Sequence, residues 1–532
     1  MGTSSGTSSL WRVVTTLTLA FLGINSAEGA TFQVTNASDS GPGTLRDAID
    51  QSNSNGESDT ITFNFGATTT IGLTGPLPPL TEGGTIISGG GTIILDGSLV
   101  TDRGIGFAIT SANNAIENMI IVNFPGDGIS IVGDGATTNR VQGCRIGTDG
   151  TEARPNTRDG IRLGFGASSN LIGGVNTANR NIISGNGRNG ITVSRDNLIN
   201  GPTENNAIQG NYIGTNAQGD GAIPNGSHGV QLYKQAANNI VGGVAAGAGN
   251  LISGNRENGV TLEDGGTSSN FVQGNYIGTD ASGADVLANR FSGVYVSKGA
   301  SSNFIGGNAA GAGNVISGND HDGVVIRDGG STDNYIQGNL IGTDRDGLGD
   351  VPNGGRGVDI SFGARLNFIG GASSGDGNVI SGNRNEGVRI QGNATAGNVV
   401  QGNLIGVDIN GDRMPGNSIG VIVREGASGN RIGGTQTGEG NTIADNGGFG
   451  VLIEGTNSTS NAIRQNSITG NRNDGIKLAR EGNANVAAPV ITGLDPVAGT
   501  APLGTEVELF ADGNGEGAVY IPTLSATNGT FS

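Results

Sequence analysis

Cysteine is almost absent from this chain. The single thiol, Cys144, excludes an intrachain disulfide and any Cys-based zinc site. It stands where other repeats carry Asn, so it reads as a small stacked side chain. Two histidines in 532 residues leave no His-rich metal site. Aromatics make up 4%, and the one Trp, Trp11, lies in the N-terminal leader. A strong aromatic sugar platform is therefore not expected. Basic residues are also scarce: 28 Lys and Arg face 46 Asp and Glu, for a net charge of −18. No basic stripe stands out, which argues against nucleic acid and anionic membrane surfaces as partners. No apolar run after the leader is long enough to span a bilayer, so no transmembrane segment is expected in the mature chain.

Glycine is plentiful, at 102 residues. It follows no strict three-residue period, which excludes collagen. Apolar residues are only 34%, but they gather in short Val, Ile and Leu clusters at regular places. That pattern marks a thin ordered core. An Asn followed by an apolar pair recurs at Asn139, Asn170, Asn206, Asn239, Asn270, Asn303, Asn334, Asn367, Asn398, Asn430 and Asn461. The text alternates: NFVQGNYIGTD at Asn270, NFIGG at Asn303, NYIQGNLIGTD at Asn334, NFIGG at Asn367. A fixed period of this kind specifies a solenoid whose real unit is a pair of turns.

A second marker, Gly followed by Ile or Val, runs from Gly128 to Gly475 and counts about 12 coils. Each coil holds three short strands, such as 271–273, 276–278 and 294–296. Inward positions are aliphatic and outward ones polar. Gly and Asn fall at the corners, where positive φ turns the chain, and the recurrent Asn residues are expected to stack as amide ladders. The fold class is therefore all-β: a parallel β-helix solenoid spanning residues 70–484. The extra residues alternate between two corners, as in 279–290 and 308–313, which predicts two ridges of loops on two faces. Coils stack about 4.8 Å apart and a loop is about 10 Å thick, so each kind of loop fits only on every second coil.

The ends differ from the array. Arg12, the apolar run Val13–Ile24 and the small residues up to Ala30 read as a signal peptide, residues 1–30. Residues 31–69 read as an N-terminal cap, with strands at Thr31–Val34 and Thr60–Phe65 and a short helix capped by Thr44. Its apolar face would be Leu45, Ala48 and Ile49. From 485 to 532 prolines reappear, with strand candidates at 490–492, 506–510 and 519–521. This reads as the start of a truncated β-sandwich, Ig-like domain.

The array resembles the right-handed parallel β-helix repeats of the pectate-lyase-like superfamily. It is similar to exported bacterial β-helix proteins with tandem IGTD…PN…GV and NVISGN segments. SGPGTLRDAI, residues 40–49, resembles the leading segment of secreted β-helix proteins, including polymorphic outer-membrane proteins. The resemblance implies a secreted, extracellular or cell-surface protein. The fold also hosts lyases, hydrolases, epimerases, adhesins and inert stalks.

Two rows of residues are candidates for chemistry. The first precedes the Gly-Val marker and includes Asp127, Asp159 and His228, the catalytic candidates. Paired carboxylates one coil apart could meet the separation that glycoside hydrolysis needs, about 5–9.5 Å. The second row recurs on loops of every second coil. Its densest clusters are Asp344, Asp346 and Asp350, then Asp408 and Asp412. Such oxygen-rich loops are candidate Ca²⁺ ligands, with Asx-type turns as the alternative. No other cofactor is expected. Because the array is uniform, the expected function is an exported scaffold or adhesin presenting repeated polar loops to a polysaccharide or surface protein. The alternative is a polysaccharide lyase, glycoside hydrolase or epimerase working along one face on an acidic, plant or algal polymer.

Overall fold

A computed structural model describes residues 29–196, 201–494, 497–502, 505–511, 519–526 and 528–531. Nearly all of the proposed signal peptide lies outside the described residues. The described residues from Thr31 to Ala479 form the expected right-handed parallel β-helix, with three sheets running along one rod. Sheet 1 holds strands such as Arg140–Gln142, Leu171–Gly173 and Ala207–Gln209. Sheet 2 holds two-residue strands such as Ile182–Ile183 and Tyr212–Ile213. Sheet 3 has 13 strands, from Phe107–Ile109 to Ile476–Ala479. Twelve of them follow the Gly-Ile/Val marker. The thirteenth, Phe107–Ile109, follows Gly106 and escapes the pattern because Phe replaces the β-branched residue.

Successive coils are in strict register. Val230, Val260, Val294, Val324, Val358 and Val388 form one continuous column of sheet 3. These residues are fully buried, and each contributes roughly 1.5–3 kcal/mol by leaving water. The marker glycine has a steric role. A Cβ on Gly293 would meet Ile316 Cγ2 at 2.4 Å and the Gly323 carbonyl at 2.8 Å. Positive φ belongs to the QGN corners instead, as at Gly274 with φ +67°.

Three asparagine ladders hold the corners. One runs through Asn139, Asn170, Asn206 and onward to Asn461. A second runs from Asn181 through Asn314 to Asn466, and a third from Asn156 through Asn319 to Asn471. Each amide saturates itself. The Asn314 Oδ1 accepts the N–H and the Nδ2–H of Asn275, both at 3.0 Å. Its Nδ2–H donates to the Val272 carbonyl at 2.7 Å and to Asn339 Oδ1 at 2.9 Å. A dry corner demands such full pairing. Cys144 opens the second ladder. It is fully buried, and burial pushes its thiol up to about 12, so it is unreactive.

The N-terminal segment is not a separate layer. Helix α1, Leu45–Ser52, buries Leu45, Ala48 and Ile49. The Thr44 Oγ1 accepts the Asp47 N–H, and the Asp47 carboxylate accepts the Gly43 N–H at 2.8 Å, a reciprocal cap. Thr31–Val34 pairs in parallel with Thr60–Phe63, which pairs with Ile86–Asp96. Sheet 1 thus runs straight through the boundary read at residues 69–70. At the other end, Val490–Leu494, Val497–Thr500 and Thr530–Phe531 form one antiparallel sheet, and Thr505–Ala511 pairs with Val519–Ala526. Val507, Ala526 and Phe531 make a separate small core.

Two loop ridges cover much of the rest. Hairpins close at Thr215–Ala222, Thr279–Val286 and Thr343–Asp350. Each bonds the hairpin two coils earlier: the Ala281 N–H donates to the Gly219 carbonyl, and the Arg345 N–H to the Gly283 carbonyl, both at 2.9 Å. On the other ridge, Gly311 packs on Val244 and Gly438 on Ala372, again two coils apart. Sheet 3 carries neither ridge.

Candidate functional site

The inward positions of sheet 3 repeat, and its outward positions do not. The second residue of each strand reads Arg162, Thr192, Gln231, Thr261, Tyr295, Val325, Asp359 and Arg389. The residue before each marker glycine is equally mixed, yet from Asp127 to Asn258 it does one job. Its side chain accepts the N–H of its counterpart on the next coil. Asp127 Oδ1 takes the Asp159 N–H, and Asp159 Oδ1 the Asn189 N–H, both at 3.1 Å. Asn189 Oδ1 takes the His228 N–H at 3.0 Å. His228 Nδ1 takes the Asn258 N–H at 3.3 Å.

Asp127 and Asp159 therefore sit together on successive coils, 3% and 5% exposed. Burial and the neighbouring Asp127 carboxylate raise Asp159 to about 6. Burial also raises Asp127, against the Asp159 N–H and the Arg158 guanidinium, whose Nε lies 3.7 Å away. His228 is two coils further on and in other company. Its Nδ1 is an acceptor, so the proton sits on Nε2, 3.2 Å from Glu257 Oε2. Burial holds its pKa below the ordinary histidine value, although Glu257 pulls the other way. The three catalytic candidates thus divide between two places.

His228 belongs to a groove of about 540 Å³ over the outer face of sheet 3, lined also by Tyr295, His321, Asp322, Asp359 and Arg389. Its carboxylates are tied. Asp322 Oδ1 accepts the Arg356 N–H at 2.7 Å and lies 3.4 Å from its guanidinium. Arg356 Nε also donates to Glu386 at 3.1 Å. Arg389 Nε donates to Asp359 at 2.6 Å, and the other Asp359 oxygen accepts the Ser361 hydroxyl at 3.0 Å. Burial raises the Asp322 pKa; the Arg356 N–H opposes the shift and Asp359 adds to it.

Exposed aromatic rings do stand at the groove. Phe291 is 43% exposed and Phe362 60% exposed, with Tyr295 between them on the lining. The Arg327 guanidinium sits 4.3 Å from the Phe362 ring centroid, and the Phe291 ring lies 5.4 Å from His321. Counting Trp and Tyr missed these Phe residues. A second aromatic row, on sheet 1, stacks Phe271, Phe304, Tyr335 and Phe368 at 5.0, 4.9 and 4.9 Å with planes within 10°. Rings stacked along the axis cover one another's faces and turn only edges outward. That row is packing.

The loop row adopts Asx turns. Asp344 Oδ1 accepts the N–H groups of Asp346 and Leu348 at 3.2 and 3.0 Å. Asp408 Oδ1 accepts those of Asn410 and Asp412, both at 2.8 Å. On an earlier hairpin, burial works against the shift, but the Glu152 and Thr151 N–H groups hold Asp149 down to about 2. Asp346, Asp350 and Asp412 are exposed. Among the described residues, no group of three or more His, Cys, Asp or Glu side chains is placed to hold a metal ion. No described helix is long and apolar enough to cross a membrane, which leaves β-barrel spans aside.

No family model and no curated protein matches the chain. Solved structures do. The mannuronan C-5 epimerase AlgE4 A-module of Azotobacter vinelandii is 14% identical, over 85% of this chain and 98% of its own, with a TM-score of 0.37. The PL6 family polysaccharide lyase Pedsa3628 of Pseudopedobacter saltans is 12% identical, over 74% and 85%, with a TM-score of 0.36. The surface adhesin PfbA of Streptococcus pneumoniae is 12% identical, over 89% and 92%, with a TM-score of 0.30. Enzymes and an adhesin stand side by side, and at this distance the likeness assigns no activity.

Proposed function

We propose that the protein is an exported β-helix scaffold or adhesin that holds a polysaccharide along the outer face of sheet 3. One observation carries the reading. The inward columns, the amide ladders and the loop ridges all repeat, whereas the outward rows of sheet 3 change from coil to coil and enclose a groove. A rod needs the repeats; only recognition needs the exceptions. The tied carboxylates favour holding over turnover. Asp322, Asp359 and Glu386 are each committed to an arginine, whereas general acid–base work asks for a group poised to exchange its proton near the working pH. Export rests on the leader from Arg12 to Ala30.

The competing reading is a polysaccharide lyase, hydrolase or epimerase. It draws on Asp159, whose carboxyl at about 6 lies in the range useful for proton transfer. Retention of polysaccharides by the purified protein, followed by analysis of the glycan for new ends or inverted sugars, separates the two. The expected result is retention with an unaltered glycan. Turnover that disappears in Asp159→Asn or Asp322→Asn would replace the scaffold with an enzyme.

A further inference from the structure

The groove's charges and rings identify the kind of glycan it takes. Its lining carries four carboxylates, Glu257, Glu263, Asp322 and Asp359, against three permanent cations, Lys298, Arg327 and Arg389. None of the three cations is in surplus. Lys298 is bonded to Glu263, Arg389 to Asp359, and Arg327 to Asp328 at 3.3 Å. A polyanion would have to break one of these pairs, inside a chain of net charge −18, and like charge disfavours the encounter as well as the complex. Lys298 and Arg327 remain open to solvent and have hydrogen-bonding capacity beyond their paired carboxylates. Hydroxyl groups can use it without carrying charge, and such bonds to ionised groups are the stronger kind.

The rings supply the other half. Phe362 occupies the corner after the strand, a position of positive φ that carries Lys298, Asp328 and Glu425 on other coils. The ring is 60% exposed, with the Arg327 guanidinium 4.3 Å from its centroid. Phe291 stands on the opposite side of the groove, also exposed. Apolar ring faces beside a few fixed polar groups suit a pyranose, which has an apolar C–H face and a hydroxyl edge.

We infer that the groove of sheet 3 takes a neutral, hydroxyl-rich polysaccharide, with Phe362 and Phe291 stacking on its sugar rings. This rests on the binding function proposed above. The test is affinity electrophoresis of the purified full chain through gels containing neutral glycans (glucan, mannan, xylan, galactan) or polyuronates (polygalacturonate, alginate), at low and high salt. Retardation is expected with at least one neutral glycan, little changed by salt. Phe362→Ala should weaken it by about tenfold, the equivalent of about 1.4 kcal/mol. Because Phe362 is exposed, the variant should keep the parent's circular dichroism and melting temperature. Phe291→Ala is the second probe. Retardation by polyuronates alone, abolished by salt, would overturn the neutral-glycan inference while leaving a polysaccharide-binding groove. Undiminished neutral binding in both Phe variants would overturn the stacking. Retardation by no glycan would remove the groove function itself.

Discussion

The amide ladders and the row before the marker glycines, from Asp127 to Asn258, both place one side chain on each coil, and both close backbone N–H groups of a neighbouring coil. In the ladders the residue is Asn again and again. In the row it is Asp127, Asp159, Asn189, His228, Asn258. The difference lies in what each environment demands. Asn314 is fully enclosed by protein, so both its acceptor and its donors must be used, and four hydrogen bonds use them. Only a primary amide of this length does that. The row lies at the edge of an open face, and the backbone asks it only for an acceptor. A carboxylate, an amide or an imidazole serves equally, so the residue is free to take on other work.

The largest effect should come from breaking the closed ladder. Asn314→Leu keeps the branched shape and removes all four bonds. The Asn275 N–H, its amide and the Val272 carbonyl each lose a partner in a dry corner, at about 1–3 kcal/mol per group. A loss of about 4 kcal/mol is expected, read as a lower denaturant midpoint. A loss below about 1 kcal/mol would mean the ladder decorates the corner without holding it.

The open row should respond in the opposite sense. Asp159→Asn keeps the oxygen that accepts the Asn189 N–H and removes a charge that burial disfavours. A carboxyl raised to about 6, from an unfolded value near 3.9, binds more protons folded than unfolded. Its contribution is fully present below about pH 4 and is lost as pH rises through about 6. The wild type therefore carries a penalty at pH 7 to 8 that the variant lacks. Asp159→Asn should stabilise by on the order of 2 kcal/mol there and by almost nothing at pH 4, measured as melting temperature against pH. Equal melting curves at both pH values would mean that the Arg158 and Arg162 guanidinium groups already neutralise the pair.

Legibility in the sequence follows the same division. The columns, the corners and both loop ridges could be read because Val, Ile, Asn and Gly recur wherever geometry forces them. Strand Phe107–Ile109 escaped because one Phe broke the marker. The groove escaped almost entirely. Tyr295, Asp359, Arg389 and Phe362 are single occurrences with no period, and only stacking of the coils in register brings them together. The marker glycine Gly229 places His228 in its row and says nothing of its partners. Its actual partners are Glu257 and Asn258, the latter one coil on. Asp127 and Asp159 stood out as acids, and their shared burial needed the third dimension.

The smallest effect is expected at the loop ridge, where Asp149, Asp280, Asp344 and Asp408 recur on alternate coils with Asn216 among them. If a bound ion were the reason for that repetition, calcium should stabilise the rod. The hairpins give a sufficient reason without one. Asp344 and Asp408 anchor their own turns through two N–H groups each, and the acids around them point into solvent. Charges about 10 Å apart in water repel by only about 0.4 kcal/mol, so a file of turn-forming Asp residues is tolerated unaided. Neither EGTA nor millimolar calcium should therefore move the melting temperature. A calcium-dependent rise that vanishes in Asp344→Asn and Asp408→Asn would reverse this. The ridge would then be a true ion site, and a repeating row, like the non-repeating groove, could carry function.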